Sequence, residues 1–163
     1  MPKEVPCPFC LPVAKDTAFM ESAGFFAIYN IAPVLPGHTL VIPKKHFDSI
    51  MQLSDNELNE FVAFCRSVTR ILGNVFNTNS FDWTLQEKPE TGQTIEHLHF
   101  HIIPRQKGDL PEPGDWYPKL LENNEKMIDS LNRPRHSSSE MQQIVKKLRK
   151  AVAQNCPPHV IQE

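Results

Sequence analysis

Between residues 97 and 103 the chain reads HLHFHII. His97, His99 and His101 stand at every second position, alternating with Leu98, Phe100 and Ile102. A strand sends successive side chains to opposite faces, so this pattern puts three imidazoles on one face and an apolar row on the other. The apolar row demands a core beneath it, so the sheet must lie against a second layer. The histidine row demands a use. The chain has seven histidines, and three fall within these five positions.

Two chemistries follow from the residues. Neutral imidazole is a common metal ligand, and neighbours on one strand face can share an ion. A hydrolytic metal centre also needs an open coordination position and a carboxylate base or further ligands. No Asp or Glu interrupts the triplet, and Glu96 falls on the opposite face. The other chemistry is nucleophilic: a central imidazole attacks phosphorus while its far nitrogen is held by an acceptor and nearby donors neutralise the phosphate. His38, Gln86, Gln93 and Thr94, all close to expected strand ends, can add donors.

The remaining pattern predicts an α+β domain. GFFAIYN (24–30) and HTLVIP (38–43) read as strands of a wide hairpin, the second entered through the turn signal Pro36-Gly37. Ser54 and Glu57 form a capping box, followed by Leu58, Phe61, Val62, Cys65, Val68, Thr69, Leu72 and Phe76 at helical spacing. Residues 81–88 and 97–104 read as two further strands, and KGDLPEPGDWYPKL as a loop. Residues 1–20 read as irregular and 122–136 as a linker. Ser137 and Glu140 cap a C-terminal helix over 137–154, whose KKLRK cluster reads as a solvated face. A helix between hairpins implies a mainly antiparallel sheet.

Bulk properties narrow the partners. The 163 residues suffice for one domain, and a net charge of −2 gives no general attraction to nucleic acid or anionic membrane. No apolar run reaches the length of a membrane span, and MPKEVPCPFC lacks the apolar centre of a signal peptide, so a cytoplasmic protein is expected. Cys7, Cys10, Cys65 and Cys156 are too scattered for a disulfide framework, which agrees.

HLHFHII resembles the signature of the histidine-triad family of nucleotide hydrolases and transferases. NIAPVLPGHTLVIPKKH (30–46) resembles the family's nucleoside-binding hairpin, and QEKPETGQTIEHLHFHIIPRQKGD (86–109) its catalytic strand with the preceding turn. The resemblance implies a five-stranded, mainly antiparallel sheet with a long helix over residues 1–122, leaving 123–163 as linker and C-terminal helix. It implies that His99 attacks the α-phosphate to form a covalent nucleotidyl intermediate. His101 then handles the phosphate and bridging oxygen, with His97 and His38 in support. Asn30 would bind the ribose, Ile28 and Leu40 the base, and Gln86, Gln93 and Thr94 the phosphates. No metal is required for that chemistry.

Gln86, Asn30 and PRQKGD followed by Tyr117 resemble the fragile-histidine-triad branch, implying cleavage of diadenosine polyphosphates to AMP. Phosphoramidate hydrolysis and phosphorolysis share the intermediate and stand as alternatives, as does a slow nucleotide-binding regulatory module. CPFC resembles the zinc-type N-terminus of other family members. There Cys7, Cys10, His46 and His97 would hold a structural zinc, so that His97 serves the triad, the zinc or both. The family also implies a homodimer formed by the helix and a sheet edge.

Overall fold

The structure, a computed structural model, describes residues 6–121 and 135–155. Its centre is a five-stranded antiparallel sheet made of β1 (Ala18–Glu21), β2 (Phe25–Tyr29), β3 (Thr39–Pro43), β4 (Ser80–Leu85) and β5 (Phe100–Arg105), in the order β1-β2-β3-β5-β4. Four helices accompany it: α1 (Pro12–Thr17), α2 (Asp55–Phe76), α3 (Trp116–Leu121) and α4 (Ser138–Asn155).

The long helix α2 starts where the sequence says it should. Ser54 accepts from the Glu57 amide, and the Glu57 carboxylate accepts from the Ser54 amide at 2.8 Å. It ends at Asn77, whose φ of +51° is the left-handed conformation that closes many helices. The buried face is turned from the one expected. Phe61, Phe64, Cys65, Val68, Ile71 and Leu72 are buried, whereas Leu58 and Val62 are 37% and 52% exposed. Trp83 of β4 donates its indole N–H to Thr69 Oγ1 on the flank of α2.

The principal core lies between α2 and the sheet face carrying Phe25, Ala27, Tyr29, Val41 and Ile102. Helix α4 adds buried Val145 and Leu148 to the same core. The boundary expected at residue 122 and most of the expected linker lie outside the described residues, as does Cys156.

Several elements differ from expectation. Residues 8–21 are largely ordered as a 3-10 turn, α1 and β1, and β1 supplies the fifth strand. Its Ala18 pairs with Ile28, and an irregularity between Ala18 and Met20 breaks the alternation on which strand detection relies. Within the expected loop, Trp116–Leu121 forms the short helix α3. Strand β5 begins at Phe100, not His97. Val41 pairs with Phe100, which would set Leu98 opposite Pro43, a residue with no N–H to offer a ladder. The Leu98 amide instead donates to the Phe47 carbonyl. His97, in a bend whose amide donates to the Ile95 carbonyl, and His99 therefore approach the sheet outside the ladder.

Candidate active site

Strand register assembles one continuous row on the sheet face opposite α2. Ile28 pairs with Leu40, Leu40 with His101, and His101 with Thr84. Paired residues share a face, with strands about 4.8 Å apart. An apolar platform on β2 and β3 thus lies beside the imidazoles on β5 and the residues leading into it. His38, at the entry to β3, reaches that face through the tight turn before it. Gly37 has φ +91°, and a Cβ there would stand 2.6 Å from Pro104 Cγ. Only glycine fits both the dihedral and the space.

The four histidines are all buried, and backbone groups decide their tautomers. The Val34 N–H donates to His38 Nδ1 at 3.1 Å, so in the neutral ring the proton sits on Nε2. His38 Nε2 lies 2.9 Å from His101 Nδ1 and donates to it. His101 is then left with its proton on Nε2. Across from it, His99 Nδ1 donates to the His97 carbonyl at 2.7 Å, which leaves the lone pair on His99 Nε2. The His99 and His101 rings are 5.2 Å apart. A nitrogen lone pair and an N–H donor therefore stand side by side, each oriented from behind.

Two buried amides lack partners. Nε2 of Gln86 and Nε2 of Gln93 have no hydrogen-bond acceptor among the described residues. The cost of burying such donors without a partner is about 1–3 kcal/mol each, which an anionic ligand would offset. Gln93 is held by the PETG turn: Lys88 N–H donates to its Oε1 at 2.6 Å, and Gly92 takes φ +92° to close the loop. Thr94 follows on the exposed side of that turn.

The platform opens into a cavity of about 690 Å³ lined by Phe9, Ile28, Asn30 and Leu40, among others. Asn30 is fixed in place, its Oδ1 accepting from the Ala32 amide at 2.9 Å. Phe9 joins this cavity to the imidazoles, with its ring centroid 5.5 Å from that of His99 and 5.6 Å from that of His97. Sequence reasoning passed over Phe9. The available signal was an aromatic residue enclosed by the CPFC cysteines. Tyr117 lies on α3, its ring against Trp116 and 41% exposed.

On the far side of Phe9, Cys7, Cys10, His46 and His97 converge, with all four potential ligand atoms within 4.8 Å of one another. Cys7 Sγ is 3.4 Å and Cys10 Sγ 3.5 Å from His97 Nδ1, and Cys10 Sγ is 3.3 Å from His46 Nδ1. A tetrahedral zinc with two sulfur and two nitrogen ligands has sulfur–nitrogen edges of about 3.5 Å, so the donor set fits. His97 Nε2 donates to the Pro43 carbonyl at 3.0 Å, directing the Nδ1 lone pair at the sulfurs. Burial holds the His97 imidazole down at about 4, only partly opposed by that hydrogen bond, so the ring is neutral as a ligand must be. Both ring nitrogens are thus engaged, by Pro43 and by the cysteines, and His97 reaches His99 through its main chain.

The family model described as HIT domain matches residues 12–108. The chain belongs to the HIT family. Over 105 residues it is 37% identical to the bis(5'-nucleosyl)-tetraphosphatase [asymmetrical] of Schizosaccharomyces pombe, covering 64% of this chain and 57% of that one. Over 145 residues it is 31% identical to the bis(5'-adenosyl)-triphosphatase of Dictyostelium discoideum, covering 88% and 90% respectively. The fold is similar to that of a Zn-bound histidine triad family protein from Mycobacterium smegmatis, with TM-score 0.61, 25% identity and coverage of 91% and 94%. The HIT match contains the four buried histidines, Gln86 and Gln93, and leaves out Cys7, Phe9, Cys10 and α4.

Proposed function

We propose that this HIT protein hydrolyses dinucleoside polyphosphates at an adenosine α-phosphate, releasing AMP. The supporting observation is the opposed pair of His99 Nε2, a lone pair, and His101 Nε2–H, a donor, beside two unpartnered amides. The names and coverage of the relatives agree, above all the triphosphatase matched along 90% of its length.

In the first step His99 Nε2 attacks phosphorus, forming a P–N bond as the P–O bond to the leaving polyphosphate breaks. His101 Nε2–H donates a hydrogen bond to the departing oxygen, which leaves as the polyphosphate anion, and His38 Nε2–H holds the His101 ring in the tautomer that makes this bond. Gln86 and Gln93 donate to the non-bridging oxygens, as Thr94 can from the lip of the groove. Water then attacks the same phosphorus, a P–O bond forms as the P–N bond breaks, one proton of the water leaves to solvent, and AMP and the Nε2 lone pair of His99 are freed. Ile28 and Leu40 hold the base and Asn30 the ribose.

Cys7, Cys10, His46 and His97 would hold a structural zinc that supplies no step at phosphorus in this scheme and would clamp the N-terminal segment to the site. The tetrahedral fit and the Zn-bound relative support it. The homodimer reading is supported by the unpaired outer edge of β4 and the exposed apolar residues Leu58, Val62 and Trp83 beside it. No helix among the described residues is long and apolar enough to cross a membrane, and a cytoplasmic location remains part of the proposal.

The test is product analysis of diadenosine triphosphate and tetraphosphate in oxygen-18 water, with and without added phosphate. One oxygen-18 in AMP is expected. Label in the polyphosphate product alone, or phosphate incorporation in place of water, would overturn hydrolysis at the α-phosphate.

A further inference from the structure

The cavity holding Ile28, Asn30 and Leu40 does not end at the sheet or at α1; its far wall is α4. Pairing of β1 with β2 stops at Ala18–Ile28, which leaves Tyr29 to Ile31 without a strand on that edge. The segment entering α4 takes that place. The His136 amide donates to the Ile31 carbonyl at 3.1 Å, and the His136 ring lies 5.7 Å from that of Tyr29. Ser137 and Glu140 then close a capping box and start the helix beside Asn30.

The other end of the wall is fixed as firmly. Arg149 donates to the Asp16 carbonyl at 2.8 Å and, through Nη2, to the Ala18 carbonyl at 2.7 Å, satisfying the C-terminal carbonyls of α1. One member of the KKLRK cluster is therefore also a tie between helices, made from the exposed face of α4. Val145 and Leu148 anchor the intervening turns in the core. Between the two ties, Gln142 and Lys146 line the cavity one helical turn apart, on side chains that remain in contact with solvent.

On the reading that this cavity receives the nucleoside, we infer that α4 forms the outer wall of the base pocket and that Gln142 is a specificity-determining residue for adenine. The platform of Phe9, Ile28 and Leu40 is apolar and has no preference among bases, since each has an apolar face. Discrimination must come from groups meeting the base edge, and a carboxamide supplies the adjacent acceptor and donor that match the amino group and N7 of adenine, an edge on which cytosine offers only an amino group and guanine two acceptors. Lys146, a donor alone, matches carbonyl-bearing edges and sets the residual tolerance for other bases.

The experiment compares kcat and KM for diadenosine, diguanosine and dicytidine tetraphosphates on the full chain, with titrations of AMP, GMP and CMP alongside. Gln142→Ala is expected to lower the adenine-to-cytosine ratio of kcat/KM about five- to tenfold, through KM. Gln142→Glu, an acceptor alone, keeps the contact to an amino group but loses the donor to N7, and is expected to shift preference towards cytosine. Gln143→Ala, on the outward face of α4, controls for helix packing and should leave the ratios unchanged. Unchanged ratios in both Gln142 variants, in turnover or in mononucleotide binding, overturn the inference. Wild-type protein that discriminates among mononucleotides through Gln142 yet cleaves no dinucleotide would uphold the base reader while removing the hydrolase reading.

Discussion

The carbonyl oxygen of His97 lies 2.7 Å from Nδ1 of His99, while the His97 ring faces Cys7 and Cys10. One residue therefore belongs to two sites. Its side chain belongs to the cysteine cluster, and its main chain sets the tautomer of the imidazole proposed to attack phosphorus. Phe9, between those cysteines in sequence, packs on both rings. Whatever loosens the cluster loosens the backbone that aims His99.

Stripping the metal with a chelator, or making Cys7→Ser with Cys10→Ser, should lower Tm by about 5–10 °C and remove one equivalent of zinc per chain. Metal content and differential scanning fluorimetry check this. Residual turnover is expected while the fold persists, because no proposed step passes through the metal. Complete and immediate loss of turnover in still-folded protein would favour a metal-dependent hydrolase.

Replacing the proposed nucleophile should be far more damaging than replacing its neighbours. His99→Asn is expected to lower kcat on diadenosine triphosphate by at least about 10⁴-fold with its circular dichroism spectrum unchanged. Undiminished turnover would reassign the nucleophile.

In the proposed reaction His38 acts through His101, whose Nδ1 lies 2.9 Å from His38 Nε2. His38→Ala should lower kcat about 10²-fold with little change in KM, since the orientation of the donor matters most as the leaving oxygen gathers charge.

Gly37→Ala places a Cβ 2.6 Å from Pro104 and forces a side chain onto a φ of +91°. A destabilisation of about 2–4 kcal/mol in urea unfolding is expected. Surviving folded protein should show a kcat defect like that of His38→Ala, because the turn carries His38.

Arg105 binds Asp109 at 2.9 Å and Asp82 at 2.6 Å, fastening the segment after β5. The Arg105 guanidinium holds the Asp109 carboxyl down at about 2. A carboxylate with a lowered folded-state pKa stabilises fully above its unfolded value of about 4 and loses that contribution as pH falls through about 2. After allowance for solvent screening at this rim position, Asp109→Asn should cost about 1 kcal/mol at pH 7. Urea titrations of wild type and variant should converge near pH 2.

Much of the scaffold was legible because it is encoded locally. The Ser54–Glu57 and Ser137–Glu140 capping boxes join residues three apart, and both form as expected. The turn at Pro36-Gly37 announced the entry of His38. The alternation in HLHFHII correctly separated imidazoles from core, even though its first half lies outside the ladder. Strand β1 was missed because it is four residues long and irregularly paired; α3 was missed because prolines surround it.

The sequence alone determined which chemical groups are available and which local element presents each, since caps, glycine turns and alternation act within a few residues. Tertiary structure decided which groups meet. The contacts that give His97 to the cysteines span 87 to 90 residues, and those that tie Arg149 to α1 span 131 to 133. No short-range period records such pairings. They exist because the whole core, once packed, leaves each of these side chains one place to go.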